Sequence, residues 1–211
     1  MKDLIILGIG VHAAEMAEIV ERINLVVPTW NLLGFISSYK QEACAEKEIN
    51  GYPILGTWKI VNNYSDAWYV PDNEYPDLAR IPQQRLVSII DPSSFVSKTS
   101  QIGAGCVVYP NCFIGLKATL GDRVFVLSGS IINHDCKLEN KVVVCSGVSL
   151  AGFVTVEDDC YLGQACTIKQ YLRIGNGSVI GMGSVVVKDV PPHSVMVGNP
   201  ARKLRDLDSN L

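Results

Sequence analysis

His134 and Asp135 are the adjacent residues of this chain that are best suited to catalysis. A neutral imidazole accepts a proton near pH 7, so it can deprotonate an amine or a hydroxyl that attacks a carbonyl carbon. Asp135 could orient the ring or stabilise the imidazolium that forms. Of the other histidines, His193 follows two prolines and is interpreted as a loop residue, whereas His12 is at most a substrate contact. The alternative is that His134 is a surface histidine without a catalytic task.

Gly8, Gly10 and His12 lie in a turn between a predicted strand and a predicted helix. Such a turn lets the backbone approach a phosphate and directs free amides and the helix dipole at it. A tight turn needed only for packing would use glycine equally well. Ser37 and Ser38 follow the second strand, where a dinucleotide-binding fold would place an acidic residue. The turn is therefore a candidate substrate-binding site, with a turn needed only for packing as the alternative, and it does not identify a ligand.

The N-terminal part of the chain alternates predicted strands with predicted helices. This alternation predicts an α/β, Rossmann-like βαβ domain with a parallel sheet over residues 1–84. We interpret residues 51–56 as a turn-rich connection, and Thr57 could cap a short helix through Asn63. The other predicted elements are strands at 3–8, 32–36 and 66–70 and a helix that ends near Asn24.

A six-residue repeat dominates the remainder of the chain. Every sixth residue is a branched aliphatic, and the residue four positions further on is mostly small. A period of six fits neither a helix nor a hairpin, but it is typical of a parallel β-helix whose short strands stack their aliphatics. The seventeen aliphatics are Ile90, Val96, Ile102, Val108, Ile114, Leu120, Val126, Ile132, Leu138, Val144, Leu150, Val156, Leu162, Ile168, Ile174, Ile180 and Val186.

The cysteines follow the same repeat. The chain has seven of them, an odd number that argues against a disulfide framework and for a reducing, cytoplasmic compartment. Five occupy the small inward position, where a thiol packs as a small hydrophobe; metal binding or nucleophilic chemistry is the alternative. Cys44 and Cys145 lie outside this position and stay unexplained. The five are Cys106, Cys112, Cys136, Cys160 and Cys166.

Composition excludes several classes of partner. The formal net charge is −3 and no long basic run is present, so neither nucleic acid nor an anionic membrane is an expected partner. No apolar segment approaches the roughly 18 residues of a membrane span. The apolar stretch Leu4 to Val11 has no cationic segment of its own, so we predict no signal peptide.

The end of the repeat carries the motif that connects this chain to known proteins. Two prolines, Pro191 and Pro192, end the repeat, and the following Val197-Gly-Asn-Pro-Ala-Arg202 resembles the closing signature of hexapeptide-repeat acyltransferases. Together with the N-terminal domain, the chain resembles the PglD/NeuD-like family of sugar acetyltransferases. The resemblance implies a left-handed β-helix over residues 85–211, a nucleotide sugar bound by the N-terminal domain, acetyl-CoA as co-substrate, no metal, and a homotrimer with active sites between subunits.

The resemblance also implies roles for individual residues. His134 matches the general base of the family and Asp135 its acidic neighbour. Gly152 matches a glycine whose amide stabilises the thioester oxygen, and Gln164 and Met182 match positions that contact the pantetheine arm. With three six-residue repeats per coil, His134 and Gly152 are expected to be vertical neighbours, about 5 Å apart at the backbone.

Some positions depart from the family pattern in the region of substrate contacts. Leu127 and Val143 replace a frequent asparagine and a second histidine, Ser37 stands where an acidic pair closes the second strand, and Val11 replaces a glycine of the turn. His12 still matches the histidine of that turn. The sequence therefore leaves the nucleotide and the sugar open.

The predicted function is acetyl-CoA-dependent N-acetylation of a nucleotide-linked amino sugar. Two alternatives stay open: a sugar O-acetyltransferase of the sialic acid type, because the same base serves a hydroxyl, and a non-catalytic nucleotide-sugar-binding protein. A γ-type carbonic anhydrase is excluded, because it needs three histidines around a metal and the repeat contains only His134.

Overall fold

The computed structural model describes residues 1–38, 47–75, 78–79 and 81–207. They divide into two compact units, the first made of residues 1–92 with 104–107 and the second of residues 93–103 with 108–211. The division after residue 84 that we infer from the sequence stays a prediction. Cys44 lies outside the described residues.

The first unit is an α/β unit built around a five-stranded sheet. Its strand order is β3-β4-β2-β1-β5, with β1 paired in parallel to both β2 and β5, and β2 paired in parallel to β4. Ile5, Leu7, Ile36 and Tyr69 are buried in its core. The elements are β1 (Lys2–Leu7), α1 (Val11–Val26), β2 (Trp30–Ser37), β3 (Glu48–Ile49), β4 (Tyr52–Thr57), β5 (Trp68–Pro71) and 3₁₀ helices at Trp58–Tyr64 and Gln83–Arg85.

One interpretation of the sequence is wrong. Residues 51–56, predicted as a turn-rich connection, belong mostly to β4, which pairs with β2. The pairing depends on a close approach at Gly34, where a Cβ atom would lie 2.2 Å from the carbonyl oxygen of Pro53. Thr57 precedes the 3₁₀ helix as predicted, but its side chain makes no capping hydrogen bond.

The predicted β-helix is confirmed. Each aliphatic of the repeat is the second residue of a two-residue strand, and strands eighteen residues apart pair in parallel, as Ile114 with Ile132 and Ile132 with Leu150. The strands are β6 (Ile89–Ile90), β7 (Phe95–Val96), β8 (Gln101–Ile102), β9 (Val107–Val108), β10 (Phe113–Ile114), β11 (Thr119–Leu120), β12 (Phe125–Val126), β13 (Ile131–Ile132), β14 (Lys137–Leu138), β15 (Val143–Val144), β16 (Ser149–Leu150), β17 (Thr155–Val156), β18 (Tyr161–Leu162), β19 (Thr167–Ile168), β20 (Arg173–Ile174), β21 (Val179–Ile180), β22 (Val185–Val186), β23 (Ser194–Val197) and β24 (Arg202–Asp206).

Three strands therefore form each coil, one from each face of the solenoid. One face contains β7, β10, β13, β16, β19 and β22, and the next contains β8, β11, β14, β17 and β20. The third ends with β21 and β23, and β24 pairs antiparallel with β23. Because each coil is eighteen residues long, residues eighteen apart lie above one another along each corner between faces.

The inward cysteines occupy the interior as predicted. Cys106, Cys112, Cys136, Cys160 and Cys166 are between 0% and 2% exposed. Burial raises the pKa of the Cys136 thiol to about 11 and those of Cys160 and Cys166 to about 12. These thiols therefore stay protonated at neutral pH and pack as small apolar groups.

Candidate active site

His134 lies at the corner between β13 and β14, with 54% of its side chain exposed. Its Nδ1 atom is 2.9 Å from Oδ2 of Asp135. When the carboxylate is ionised it only accepts hydrogen bonds, so in that state Nδ1 donates to Asp135 and a neutral ring presents its lone pair at Nε2. Asp135 has a positive φ of 57°, and its N–H donates to the carbonyl oxygen of Leu116 at 2.8 Å. The carboxylate of Asp135 is thus positioned to orient the imidazole of His134.

Gly152 lies directly beside the imidazole of His134, one coil further along the solenoid. A Cβ atom at this position would lie 2.6 Å from Cε1 and 2.7 Å from Nε2 of His134. The carbonyl oxygen of Gly152 accepts a hydrogen bond from the Tyr171 N–H at 3.2 Å. Its own N–H donates to no acceptor within the described ranges. The structure therefore brings together the imidazole of His134 and the backbone amide of Gly152; their catalytic roles stay predictions.

Gln164 and Met182 lie on a different corner, after β18 and β21 respectively. They are vertical neighbours, because the Gly183 N–H donates to the carbonyl oxygen of Gln164 at 2.8 Å. Met182 is 79% exposed. Within one chain the solenoid does not bring these two side chains to His134, since one face separates the two corners.

Two aromatic residues beside His134 were missed by the sequence analysis. Phe153 lies perpendicular to the imidazole, at 87° and 5.3 Å between ring centroids. Tyr171 stacks on Phe153 at 16° and 4.9 Å. The signal was present in the sequence, because Phe153 follows Gly152 directly and Tyr171 comes eighteen residues later.

The glycine turn of the first unit has the expected backbone. Gly8 has a φ of 128°, and Gly10 is the N-cap of α1 without a side-chain capping bond. His12 lies in the first turn of α1, where its Nδ1 is 3.3 Å from Oε2 of Glu15. Ser37 is buried at the end of β2, and its hydroxyl donates to the carbonyl oxygen of Gly56 at 3.4 Å. The side chain of Ser37 is therefore engaged with β4.

Asp72 is a further residue of this region that the sequence analysis missed. It follows β5 directly, and its N–H donates to the carbonyl oxygen of Leu7. The residue is 4% exposed, and a Cβ on Gly8 would lie 1.9 Å from its Oδ2 atom. Burial raises the pKa of Asp72 to about 6, although the Glu74 N–H donates to Oδ1 at 3.1 Å and lowers it.

The position of Asp72 follows from the strand order. The chain leaves β1 through α1 to β2 on one side and later returns to β5 on the other side of β1. In open α/β sheets, ligands bind at the carboxyl ends of the strands where the order reverses in this way. Gly8 and Asp72 occupy the ends of β1 and β5 at this switch point. Sequence alone could not find Asp72, because the neighbour of β5 is known only once the sheet is assembled.

No three or more His, Cys, Asp or Glu side chains are grouped so that they could hold a metal ion within the ranges that the structure covers. None of the helices in those ranges is long and apolar enough to cross a membrane.

Curated relatives match about half of the chain. The chain is 36% identical over 109 residues to an acyl-[acyl-carrier-protein]–UDP-N-acetylglucosamine O-acyltransferase of Agrobacterium fabrum, covering 48% of this chain and 40% of that protein. It is 33% identical over 117 residues to a serine acetyltransferase of Bacillus pumilus, covering 51% of each. The chain thus spans about half or less of these relatives. No protein-family model matches it.

Solved structures match nearly the whole chain. The acetyltransferase domain of PglB from Neisseria gonorrhoeae, solved with acetyl coenzyme A, matches with a TM-score of 0.82 at 25% identity, over 96% of this chain and 99% of that one. A histidine-to-alanine variant of GDP-perosamine N-acetyltransferase from Caulobacter crescentus, solved with CoA and GDP-perosamine, matches with a TM-score of 0.86 at 22% identity, over 98% of both chains. The chain therefore has the fold of the hexapeptide-repeat, left-handed β-helix sugar acetyltransferases of the PglD/NeuD-like type.

Proposed function

We propose that this chain is an acetyl-CoA-dependent N-acetyltransferase that acts on a nucleotide-linked amino sugar. The observation that carries the proposal is the arrangement of His134, which has Nδ1 on the carboxylate of Asp135 and Nε2 beside Gly152. The similarity to proteins solved with CoA, acetyl-CoA and GDP-perosamine supports the choice of both substrates.

The geometry supports a direct acyl transfer. The amine nitrogen of the sugar attacks the thioester carbonyl carbon, and Nε2 of His134 accepts a proton from the amine. The N–H of Gly152 stabilises the oxyanion that develops, and Asp135 stabilises the imidazolium. The C–S bond then breaks and the thiolate of CoA leaves; a thiol has a pKa of about 8.5, so it needs little assistance. The proton passes from His134 to the thiolate or to water, which restores the base.

The first unit supplies the acceptor site in this proposal. Gly10 and the start of α1 offer backbone amides to the diphosphate, with His12 beside them. Gly8 forms the turn that brings this backbone close, because its own N–H already donates to the carbonyl oxygen of Ile36 at 2.9 Å. Asp72 adds a carboxyl group at the same strand ends, where it can contact a hydroxyl or N–H donor of the nucleotide. Ser37 contributes to the acceptor site through its backbone at the end of β2, because its hydroxyl is engaged with β4. This division of roles corresponds to residues 1–84 for the nucleotide sugar and 85–211 for acyl transfer.

A homotrimer with active sites between subunits is part of the proposal. Gln164 and Met182 lie on one corner and His134 on another, so a pantetheine arm that contacts both sets needs a second chain. The face between those corners carries Phe95 and Phe113, which are 57% and 39% exposed and stack at 5.0 Å. The number three rests on the resemblance, and sedimentation equilibrium that finds a stable monomer would contradict it. We place the protein in the cytoplasm, where its buried thiols stay reduced.

O-acetylation of a sugar is the second candidate. The two curated relatives are an O-acyltransferase and a serine acetyltransferase. A hydroxyl can replace the amine in the same step. The two candidates are separated by comparing the acetylation of an amine acceptor with that of a hydroxyl acceptor of otherwise identical structure.

The test is a substrate screen read by mass. Nucleotide-linked amino sugars and their hydroxyl analogues are incubated with acetyl-CoA, and a mass increase of one acetyl group identifies the acceptor. The His134→Ala variant should lose turnover, whereas His193→Ala, a matched change outside the proposed site, should keep it. Binding of the nucleotide sugar without any acetyl transfer would show a non-catalytic protein instead.

A further inference from the structure

An aromatic pair lies against the base in a register where other coils carry different residues. Phe153 and Tyr171 occupy a corner position with positive φ values of 61° and 64°. The same position one and two coils earlier holds Asp135 and Lys117. A bulky side chain is uncommon in this backbone region and costs free energy there. Neither ring fills the solenoid interior, since Phe153 is 43% and Tyr171 67% exposed.

Without this aromatic pair, few contacts would fix the orientation of the imidazole ring of His134. Its contact with Asp135 holds Nδ1 at one point, and the side chain of Asp135 is itself 30% exposed. Gly152 offers no side chain to the opposite edge. The ring of Phe153 lies perpendicular to the imidazole and contacts it. Tyr171 stacks on Phe153 and supports it. Edge-to-face and stacked pairs of this kind contribute about 0.5–1.5 kcal/mol each.

We propose that Phe153, supported by Tyr171, is a positioning residue that holds the imidazole of His134 with Nε2 beside the Gly152 amide. This inference rests on the proposed function of His134 as general base. A base that is displaced by about 1 Å from the productive geometry loses a large part of its effect. Phe153 acts on the rate through His134 and not through the binding of either substrate.

The first experiment separates positioning from binding. Phe153→Leu keeps an apolar side chain but removes the ring, and Phe153→Tyr restores a ring. We expect Phe153→Leu to lower kcat by about tenfold with KM for both substrates within about twofold, and Phe153→Tyr to recover most of kcat. In a His134→Ala background, Phe153→Leu should have no further effect, because coupled residues are not additive. Tyr161→Leu, which removes a ring of similar exposure (45%) elsewhere, is the matched control.

A second measurement does not depend on turnover. With ¹³C- and ¹⁵N-labelled histidine, the ring resonances of His134 are assigned by their absence in His134→Ala. Phe153→Leu should remove a ring-current shift from His134 and leave those of His12 and His193 unchanged. A raised KM with unchanged kcat would overturn the proposal, because Phe153 would then be a substrate contact. Unchanged His134 resonances would overturn it too, and a wild-type protein without acetyl transfer would refute the proposed function alone.

Discussion

Replacing Gly152 by alanine should disable His134 without removing it. The new methyl group would lie 2.6 Å from Cε1 and 2.7 Å from Nε2 of the imidazole. Carbon atoms in contact are normally at least about 3.5 Å apart, so the ring must retreat by about 1 Å. Gly152 is not among the glycines with a positive φ, so the alanine backbone itself is allowed.

The size of the effect follows from this displacement. A misplacement of about 1 Å can lower a rate by about 10²-fold. We therefore expect Gly152→Ala to lower kcat by about 10²-fold, at the lower end of the 10²–10⁴-fold range typical for loss of a general base. The change adds one methyl group at a corner, so the thermal unfolding midpoint should shift by only a few degrees.

Steady-state kinetics of four proteins test this reasoning: the wild type, Gly152→Ala, His134→Ala and the double variant. If the methyl group acts through the imidazole, the double variant should be no slower than His134→Ala. A Gly152→Ala enzyme with wild-type kcat would refute the argument, because Nε2 could not then be the base in the position seen here. A loss confined to KM for acetyl-CoA would assign Gly152 to coenzyme binding alone.

Three further predictions concern other parts of the molecule. His12→Ala should raise KM for the nucleotide sugar with little change in kcat, and competition binding with the free nucleotide should show the same loss. Iodoacetamide at pH 8 should leave Cys160 and Cys166 unmodified in the native protein and alkylate both in denaturant, as read by peptide mass, because burial raises the pKa of each thiol to about 12. Burial raises the pKa of Asp72 to about 6, so its contribution to the free energy of unfolding falls as pH rises from about 4 to 6. Asp72→Asn should therefore be more stable than wild type at pH 8, by roughly 2–3 kcal/mol in urea denaturation. The difference between the two proteins should vanish near pH 4.

The repeat is the part of the fold that sequence predicts best. Each coil repeats one local rule, so the period alone places Ile132 and Leu150 inside and His134 at a corner. The contact between His134 and Gly152 follows from the same counting. Phe153 could have been predicted in the same way, but its role depends on the angle between two rings, which the spacing does not specify.

The first unit was harder to predict, because its contacts are not periodic. Gly51, Pro53 and Gly56 are typical of turns, yet the segment is a strand because β2 is available to pair with it. Asp72 appears in the sequence as one acid among several in a proline-containing segment. Its burial follows from the return of the chain to the free edge of β1, which is a property of the whole sheet.

The eighteen-residue coil also determines which changes in chain length the solenoid can tolerate. Insertion of a single residue would turn every later aliphatic outward, whereas insertion of a complete coil would restore all pairings above it. A coil added between Glu157 and Arg173 would leave His134 beside Gly152, but one added between His134 and Gly152 would move the amide one layer away from the base. The solenoid can therefore lengthen by whole coils during evolution or design, with the step from His134 to Gly152 as the interval that must keep its length.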